Sequence, residues 1–344
     1  MKHIKDLIKK NGPIKVSKFM ELAMYHPDNG YYVTGNPLGK DGDFITAPEI
    51  SQLFGEMIGV YSVDKWIKLG EPKKFNLVEL GPGKGTLMMD LLGATKHVSG
   101  FNQAMQIHLV DTNQNLIETQ KNKLKEFDVT WHKDIYSLPD DYPIIIIANE
   151  FFDCLPINQY IKENGLWYER LININYNGDL FFTKVITNDE FPINQEDGSV
   201  IEISLPTLNI MQHLLSLINK KSGNILIVDY GYQDNPFTRN YCCETLQAIK
   251  GHKFHSIFKD VGSADLTAHV NFFALCEEAI KNSCKVNMMT QGEFLQNLGI
   301  NIRAQMLKGK ANDIEKKDID YSLNRLVSEK EMGVLFKVLE VFSS

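Results

Sequence analysis

Three glycines at alternate positions, Gly81, Gly83 and Gly85, close the apolar run "FNLVEL" in "FNLVELGPGKGT", and a helix-compatible "TLMMDLLG" follows. Glycine permits a sharp turn and lets a ligand approach the backbone closely, while a helix N-terminus presents unpaired N–H groups. The arrangement suits a cofactor-cradling loop, although a bare strand-to-helix connection uses the same residues. A P-loop is excluded: Lys84 is followed by Gly85 instead of Ser or Thr, and the required upstream glycine is missing.

Acidic and amide side chains recur where the next apolar runs end. Asp111 ends "MQIHLVD", Asp134 ends "VTWHKD", and the isoleucine run "IIIIA" gives way to Asn149, Glu150 and then Asp153. Ligands of open α/β sheets bind beyond the carboxyl ends of the strands, so these residues mark a crevice. Asp111 either meets ribose hydroxyls or caps the helix that begins in "DTNQNLIE". For the ribose role it lies somewhat further past the loop than the roughly 20 residues usual for such an acid. Glu150 either orients a reacting group or pairs with a nearby Lys or Arg, and Asp153 has the further option of capping a turn before Pro156.

The elements that must position these groups are legible as alternation. Candidate strands cover 75–80, 105–111, 129–134, 144–149, 224–231, 285–290 and 334–342, most of them separated by helical or turn-rich stretches. Runs rich in Ile, Leu and Val linked by helices predict an α/β fold with a mostly parallel sheet covered on both faces. Two regions break the rhythm. Residues 157–204 contain β-like runs punctuated by Asn-Gly pairs, which predicts an antiparallel insertion. The first 70 or so residues read as mainly helical, and within them Thr46 and Glu49 match a capping box for a helix that Gly70 would end.

Composition narrows the function classes. A formal net charge of −7 supplies no general attraction to phosphate backbones, which argues against a nucleic-acid partner. No window approaches the roughly 18 apolar residues of a membrane span, so no membrane insertion is expected. The lysine-rich start carries Asp6 and Glu21 and lacks Arg, a poor presequence; a bacterial cytoplasm is expected over a mitochondrial matrix. Cys154, Cys242, Cys243, Cys276 and Cys284 contain no C-x-x-C pair and read as reduced thiols. His252, His255 and His269 match no metal-ligand spacing, and their glycine-containing stretch reads as a loop over the crevice.

Taken together, "GDFITAPEISQLFGEMIG" (42–59), "VELGPGKGTLMMDLL" (78–92), "ANEFFDCLPINQY" (148–160), "IVDYGY" (227–232) and "ADLTAHVNF" (264–272) resemble, in order, the MidA-like family of class I S-adenosylmethionine-dependent methyltransferases. That family includes the mitochondrial complex I assembly factor that methylates a protein arginine. "LFKVLEV" (335–341) is similar to its terminal strand. The resemblance implies a Rossmann-like, seven-stranded, mostly parallel sheet whose last strand is antiparallel. It divides the chain into a helical N-terminal region (1–72), a methyltransferase core (73–156 and 205–344) and a β-rich insertion (157–204). It implies S-adenosyl-L-methionine as cofactor, with Glu79, Gly81, Gly83 and Gly85 shaping the methionine side, Asp111 on the ribose and Asp134 near the adenine. Asn149, Phe44, Thr46 and Ser51 are further candidate contacts, and Glu150 with Asp153 are the candidate catalytic carboxylates. Asn271 departs from the family, where Asp is more frequent.

The implied partner is a protein substrate, with an arginine of a respiratory complex I subunit the leading candidate; a homodimer stays open. Two alternatives stand beside it. "NEFF" sits where some amino-methylating enzymes of bases or small molecules carry Asn-Pro-Pro-aromatic, but both prolines are missing. An assembly chaperone that retains cofactor with little turnover is the other.

Overall fold

The computed structural model describes residues 2–34, 46–191, 195–237 and 244–343. The chain forms two compact units: Met1–Phe44, Phe152–Asn209 and Tyr232–Ala274 make one, and Ile45–Phe151, Ile210–Gly231 and Leu275–Ser344 the other.

The second unit carries the main sheet. Its strands are β1 (Phe75–Leu80), β2 (Met105–Val110), β3 (Val129–His132), β4 (Ile144–Asn149), β5 (Gly223–Tyr232), β6 (Lys285–Thr290) and β7 (Phe336–Phe342). They lie in the order β6-β7-β5-β4-β1-β2-β3, and the sheet counts eight strands in all. The pairs from β5 through β4, β1 and β2 to β3 are parallel, whereas β7 runs antiparallel to both β5 and β6. The expected α/β class is present, with a mixed sheet. Every residue of β1 is buried, and so is every residue of β4 except Asn149. This is why the isoleucine run shows no alternation: both of its faces are covered.

One covering element is α1 (Gln52–Lys68), which lies against α2 (Thr86–Thr95) through two glycines. A Cβ at Gly55 would stand 2.6 Å from Asp90 Cβ and 3.1 Å from the Leu87 carbonyl oxygen. Gly55→Leu is therefore expected to lower stability by roughly 2–3 kcal/mol, measured as a shift of the urea unfolding midpoint at constant slope. α1 is further tied down by Glu56, whose carboxylate accepts from Arg303 Nε at 2.9 Å and Nη2 at 2.8 Å.

The expected helix beginning at Thr46 is two helices. Thr46 precedes the short helix Ala47–Ile50 but makes no side-chain cap; Ser51, extended at φ −161°, breaks the helix and caps α1 by accepting from Leu53 N–H at 3.2 Å. Glu49 turns elsewhere and accepts from Thr86 Oγ1 at 2.5 Å. A capping box needs its acid to reach back to the cap residue, and Glu49 is occupied by α2.

In the first unit, Asn158–Glu163, Leu166–Ile174, Leu180–Ile186 and Val200–Ile203 form an antiparallel sheet with the short strand Ile14–Lys15. Glu163 faces Leu166 across a two-residue turn, Asn164 (φ +52°) and Gly165 (φ +75°). This left-handed pair is what an Asn-Gly hairpin turn requires. Helices Lys2–Asn11 and Val16–Tyr25 bury Ile4, Ile8, Phe19, Met20 and Met24 in a core that includes Ile172 and Leu266.

The stretch read as a covering loop contains a three-stranded sheet, Gln247–Lys250, Lys253–His255 and Asp265–Thr267. Its first turn, Gly251 (φ +56°) and His252 (φ +60°), is again two left-handed residues, so His252 serves the hairpin. His255 Nε2 lies 3.3 Å from Asp260 Oδ2. Among the described residues no group of three His, Cys, Asp or Glu side chains could hold a metal ion. Cys242 and Cys243 lie outside the described residues. No helix among the described residues is long and apolar enough to cross a membrane.

Candidate active site

The glycine loop leaves β1 with all three glycines left-handed: Gly81 at φ +62°, Gly83 at +54° and Gly85 at +73°. Only glycine adopts this conformation three times in five residues without strain. Gly81 N–H donates to Val110 O at 3.0 Å, fastening the loop to the end of β2, and Gly85 directly precedes the first turn of α2. If the loop cradles a cofactor, Gly83→Val is expected to weaken its binding about tenfold or more, through strain and lost backbone access, while the sheet stays folded. Calorimetric titration of the folded variant checks this, and unchanged affinity would remove the loop from the site.

Glu79 sits on the same strand, in register with Leu109 and Ile147, and is 3% exposed. Its Oε2 is buried without a hydrogen-bond partner among the described residues. Burial, and secondly the charge of Asp111, push its carboxyl up to about 8.

Asp111 follows β2. Its Oδ1 accepts from Asn113 N–H at 2.8 Å and its Oδ2 from Gln120 Nε2 at 2.7 Å. Burial raises its pKa, opposed by these donors. Capping of the following helix, α3 (Gln114–Lys123), falls to Asn113, whose side chain accepts from the N–H groups of Asn115 and Leu116. Asp111 is thereby released from the capping alternative.

Asp134 lies past the end of β3, which stops at His132. It is exposed, and its Oδ1 accepts from Tyr136 N–H at 2.9 Å and Ser137 N–H at 3.1 Å, capping a single 3-10 turn. Asn149 ends β4 and keeps a buried Oδ1 with no partner among the described residues.

Glu150 takes a left-handed backbone, φ +48°, unusual for a residue with a long side chain. Its N–H donates to Val228 O at 2.9 Å on β5, and its Oε1 accepts from Ala47 N–H at 3.0 Å and Asn149 Nδ2 at 3.3 Å. These bonds hold the carboxylate at the tip of the sheet, against the start of the short helix that follows Thr46. Strained backbone held by surrounding bonds is a recurrent property of functional positions.

The structure thus gathers Glu79, the glycines, Asp111, Asn149, Glu150, Thr46 and Ser51 into one unit, while Asp153 belongs to the other. There Asp153 is buried, and its carbonyl accepts from Ala268 N–H at 2.9 Å. Phe44 lies outside the described residues. Asn271 has a local duty: its Oδ1 accepts from Ala274 N–H at 3.0 Å in the first turn of the helix Phe272–Lys281.

Gln120 was not singled out from sequence. It is 0% exposed; Nε2 donates to both Gly83 O (2.8 Å) and Asp111 Oδ2 (2.7 Å), and Oε1 accepts from Trp131 Nε1 at 2.9 Å. The signal was available: Gln120 falls on the same helical face as the buried Leu116 and Ile117, and a polar residue there demands partners.

The residues fit a nucleoside-type cofactor bearing positive charge. The loop offers backbone access, Asp111 keeps acceptor capacity for hydroxyls, and the unpartnered Glu79 carboxyl calls for a donor or a cation. The family model and the relatives that follow show the class, an S-adenosylmethionine-dependent methyltransferase. Residues 57–290 match the family model described as "Putative S-adenosyl-L-methionine-dependent methyltransferase". The protein arginine methyltransferase NDUFAF7, mitochondrial, of Xenopus laevis is 33% identical over 99% of this chain and 84% of its own length. The Homo sapiens protein of the same name is 30% identical over 98% and 81%. Two crystal structures from Burkholderia thailandensis share the fold. One, bound to S-adenosyl-homocysteine, has TM-score 0.87 at 24% identity over 99% of this chain and 91% of that one; the other, native, has 0.84 at 25% over 100% and 91%. The chain belongs to this family of S-adenosylmethionine-dependent methyltransferases.

Proposed function

We propose that the protein is a protein arginine N-methyltransferase, with Glu150 orienting the guanidinium that accepts the methyl group. The observation that carries this reading is Glu150 itself, a carboxylate fixed at the tip of β4 in a strained backbone conformation. The names of the curated relatives support it. When bound, the cofactor supplies an electrophilic methyl group on a sulfonium.

Glu79 and the loop Gly81, Gly83 and Gly85 hold the amino-acid end of the cofactor, Asp111 the ribose, and Asp134 the adenine edge; Asn149, Thr46, Ser51 and Phe44 complete the contacts. An arginine side chain has a pKa above about 12, so it is not simply deprotonated beforehand. A carboxylate instead accepts its N–H groups in a paired, directional contact that turns one nitrogen toward the donor carbon. The new N–C bond would form as the methyl–sulfur bond breaks and leaves the neutral thioether S-adenosylhomocysteine, while the proton lost from that nitrogen would pass to a nearby carboxylate and from it to water. Asp153 is the candidate second acid.

A respiratory complex I subunit is the proposed substrate, approached by the protein as a monomer or a homodimer in the cytoplasm of a bacterial cell. The functional parts are the helical region 1–72, the core 73–156 and 205–344, in a seven-stranded reading, and the insertion 157–204. Incubation with isotope-labelled S-adenosylmethionine and host lysate, followed by peptide mapping, tests the proposal. Label on arginine side chains is expected; label confined to small molecules or nucleic acid would refute it.

A further inference from the structure

We propose that Gln120 is a positioning residue for cofactor binding, whose amide locks the Gly83 carbonyl and the Asp111 carboxylate into the one arrangement that receives the nucleoside. This rests on the cofactor-binding reading of Gly83 and Asp111 above.

The amide orientation follows from its partners. An indole N–H can only donate, so Trp131 Nε1 at 2.9 Å assigns the facing atom as Oε1. Nε2 then points both of its hydrogens at acceptors, Gly83 O and Asp111 Oδ2. The flipped amide would set N–H against N–H and oxygen against two oxygens. A single buried side chain therefore ties together the loop after β1, the acid after β2 and the interior of β3.

The stem contributes too, because a Cβ at Gly85 would lie 3.5 Å from Gln120 Cγ, placing the side chain under the loop. Without Gln120, the Asp111 carboxylate would keep the Asn113 N–H on one oxygen but lose its donor on the other. The glycine loop would lose a side-chain tie at Gly83 O. Partly buried acceptors that lose their donor move toward water or recruit it, and both shifts spoil a preformed site.

The test compares Gln120→Leu, Gln120→Glu and Trp131→Phe in the full-length protein, titrated calorimetrically with S-adenosylhomocysteine. Gln120→Leu removes both donors and should weaken binding about 10- to 100-fold. Gln120→Glu keeps the acceptor for Trp131 but sets a carboxylate against Asp111. Relative to the parent protein at each pH, its affinity should be poorest at pH 8 and recover as the pH falls toward 5, where the introduced carboxyl regains a proton to donate. A solely structural role would not reproduce that pH profile.

Trp131→Phe frees the amide to rotate without touching either ligand-facing group, and should cost about 3- to 10-fold; it keeps the test decisive if Gln120 variants do not fold. At saturating cofactor, kcat of each folded variant should stay within about twofold, so the loss appears in the cofactor KM. In an Asp111→Ala background, Gln120→Leu should add less than about threefold, because the two act as one unit. Unchanged affinity in folded Gln120 and Trp131 variants would overturn the proposal while Asp111→Ala still impairs binding. Unchanged affinity in Asp111→Ala alone would instead overturn the cofactor-site reading on which it rests.

Discussion

Glu150→Gln is expected to slow methyl transfer by roughly 10²- to 10³-fold while leaving S-adenosylmethionine affinity within a few-fold of the parent protein. The substitution keeps shape and the oxygen that accepts from Ala47 N–H, so the short helix after Thr46 stays attached. What it removes is the negative charge that draws and aligns a guanidinium and favours proton departure from it. A loss in the protein-substrate kcat/KM with cofactor binding retained is the expected signature, read from initial rates and calorimetry on the same preparation. Full activity would take Glu150 out of the reaction and leave its backbone conformation as a purely structural feature.

The second large effect is a pH dependence set by Glu79. Its carboxyl has an ordinary value of 4.5 when the chain is unfolded and about 8 in the folded protein, raised by burial and by Asp111. Between those values the folded, cofactor-free chain holds a proton that the unfolded chain has released. The stability that Glu79 contributes is thus fully present below about pH 4.5 and is lost as the pH rises through about 8, with a slope of up to about 1.4 kcal/mol per pH unit. A cationic cofactor favours the ionised carboxylate, so binding should release a proton, and affinity should rise with pH in the same window by up to about tenfold per unit. Glu79→Gln should flatten both profiles and make the cofactor-free protein more stable at pH 8. Chemical denaturation and calorimetry at a series of pH values measure the two effects; a flat profile in the parent protein would contradict the buried, proton-bearing state.

The sheet was readable because buried parallel strands are unbroken apolar runs. "IIIIAN" and "KVNMMT" begin and end as read, while "VTWHKD" runs two residues past the strand, since Asp134 turns to cap the following 3-10 turn. The Asn164-Gly165 hairpin was equally legible, its chemistry being local to two residues. Thr46 was misleading for the converse reason: the capping pattern is also local, but Glu49 is taken by Thr86 from another helix, a contact that no spacing encodes. The three short strands between Gln247 and Thr267 lack apolar alternation and are held by pairing with one another, so a loop was the natural reading. Within the candidate site, residues at strand ends announced themselves by polarity after an apolar run. Gln120 did not, because it reaches the site sideways from a helix; only its place on a buried face marked it.

The most direct measurement is a crystal structure of the protein with saturating S-adenosylhomocysteine. The expected density has the ribose hydroxyls on Asp111 and the amino-acid end along Gly81, Gly83 and Gly85 beside Glu79, with the thioether directed toward Glu150. A ligand bound elsewhere, with Asp111 and the three glycines untouched, would contradict the account.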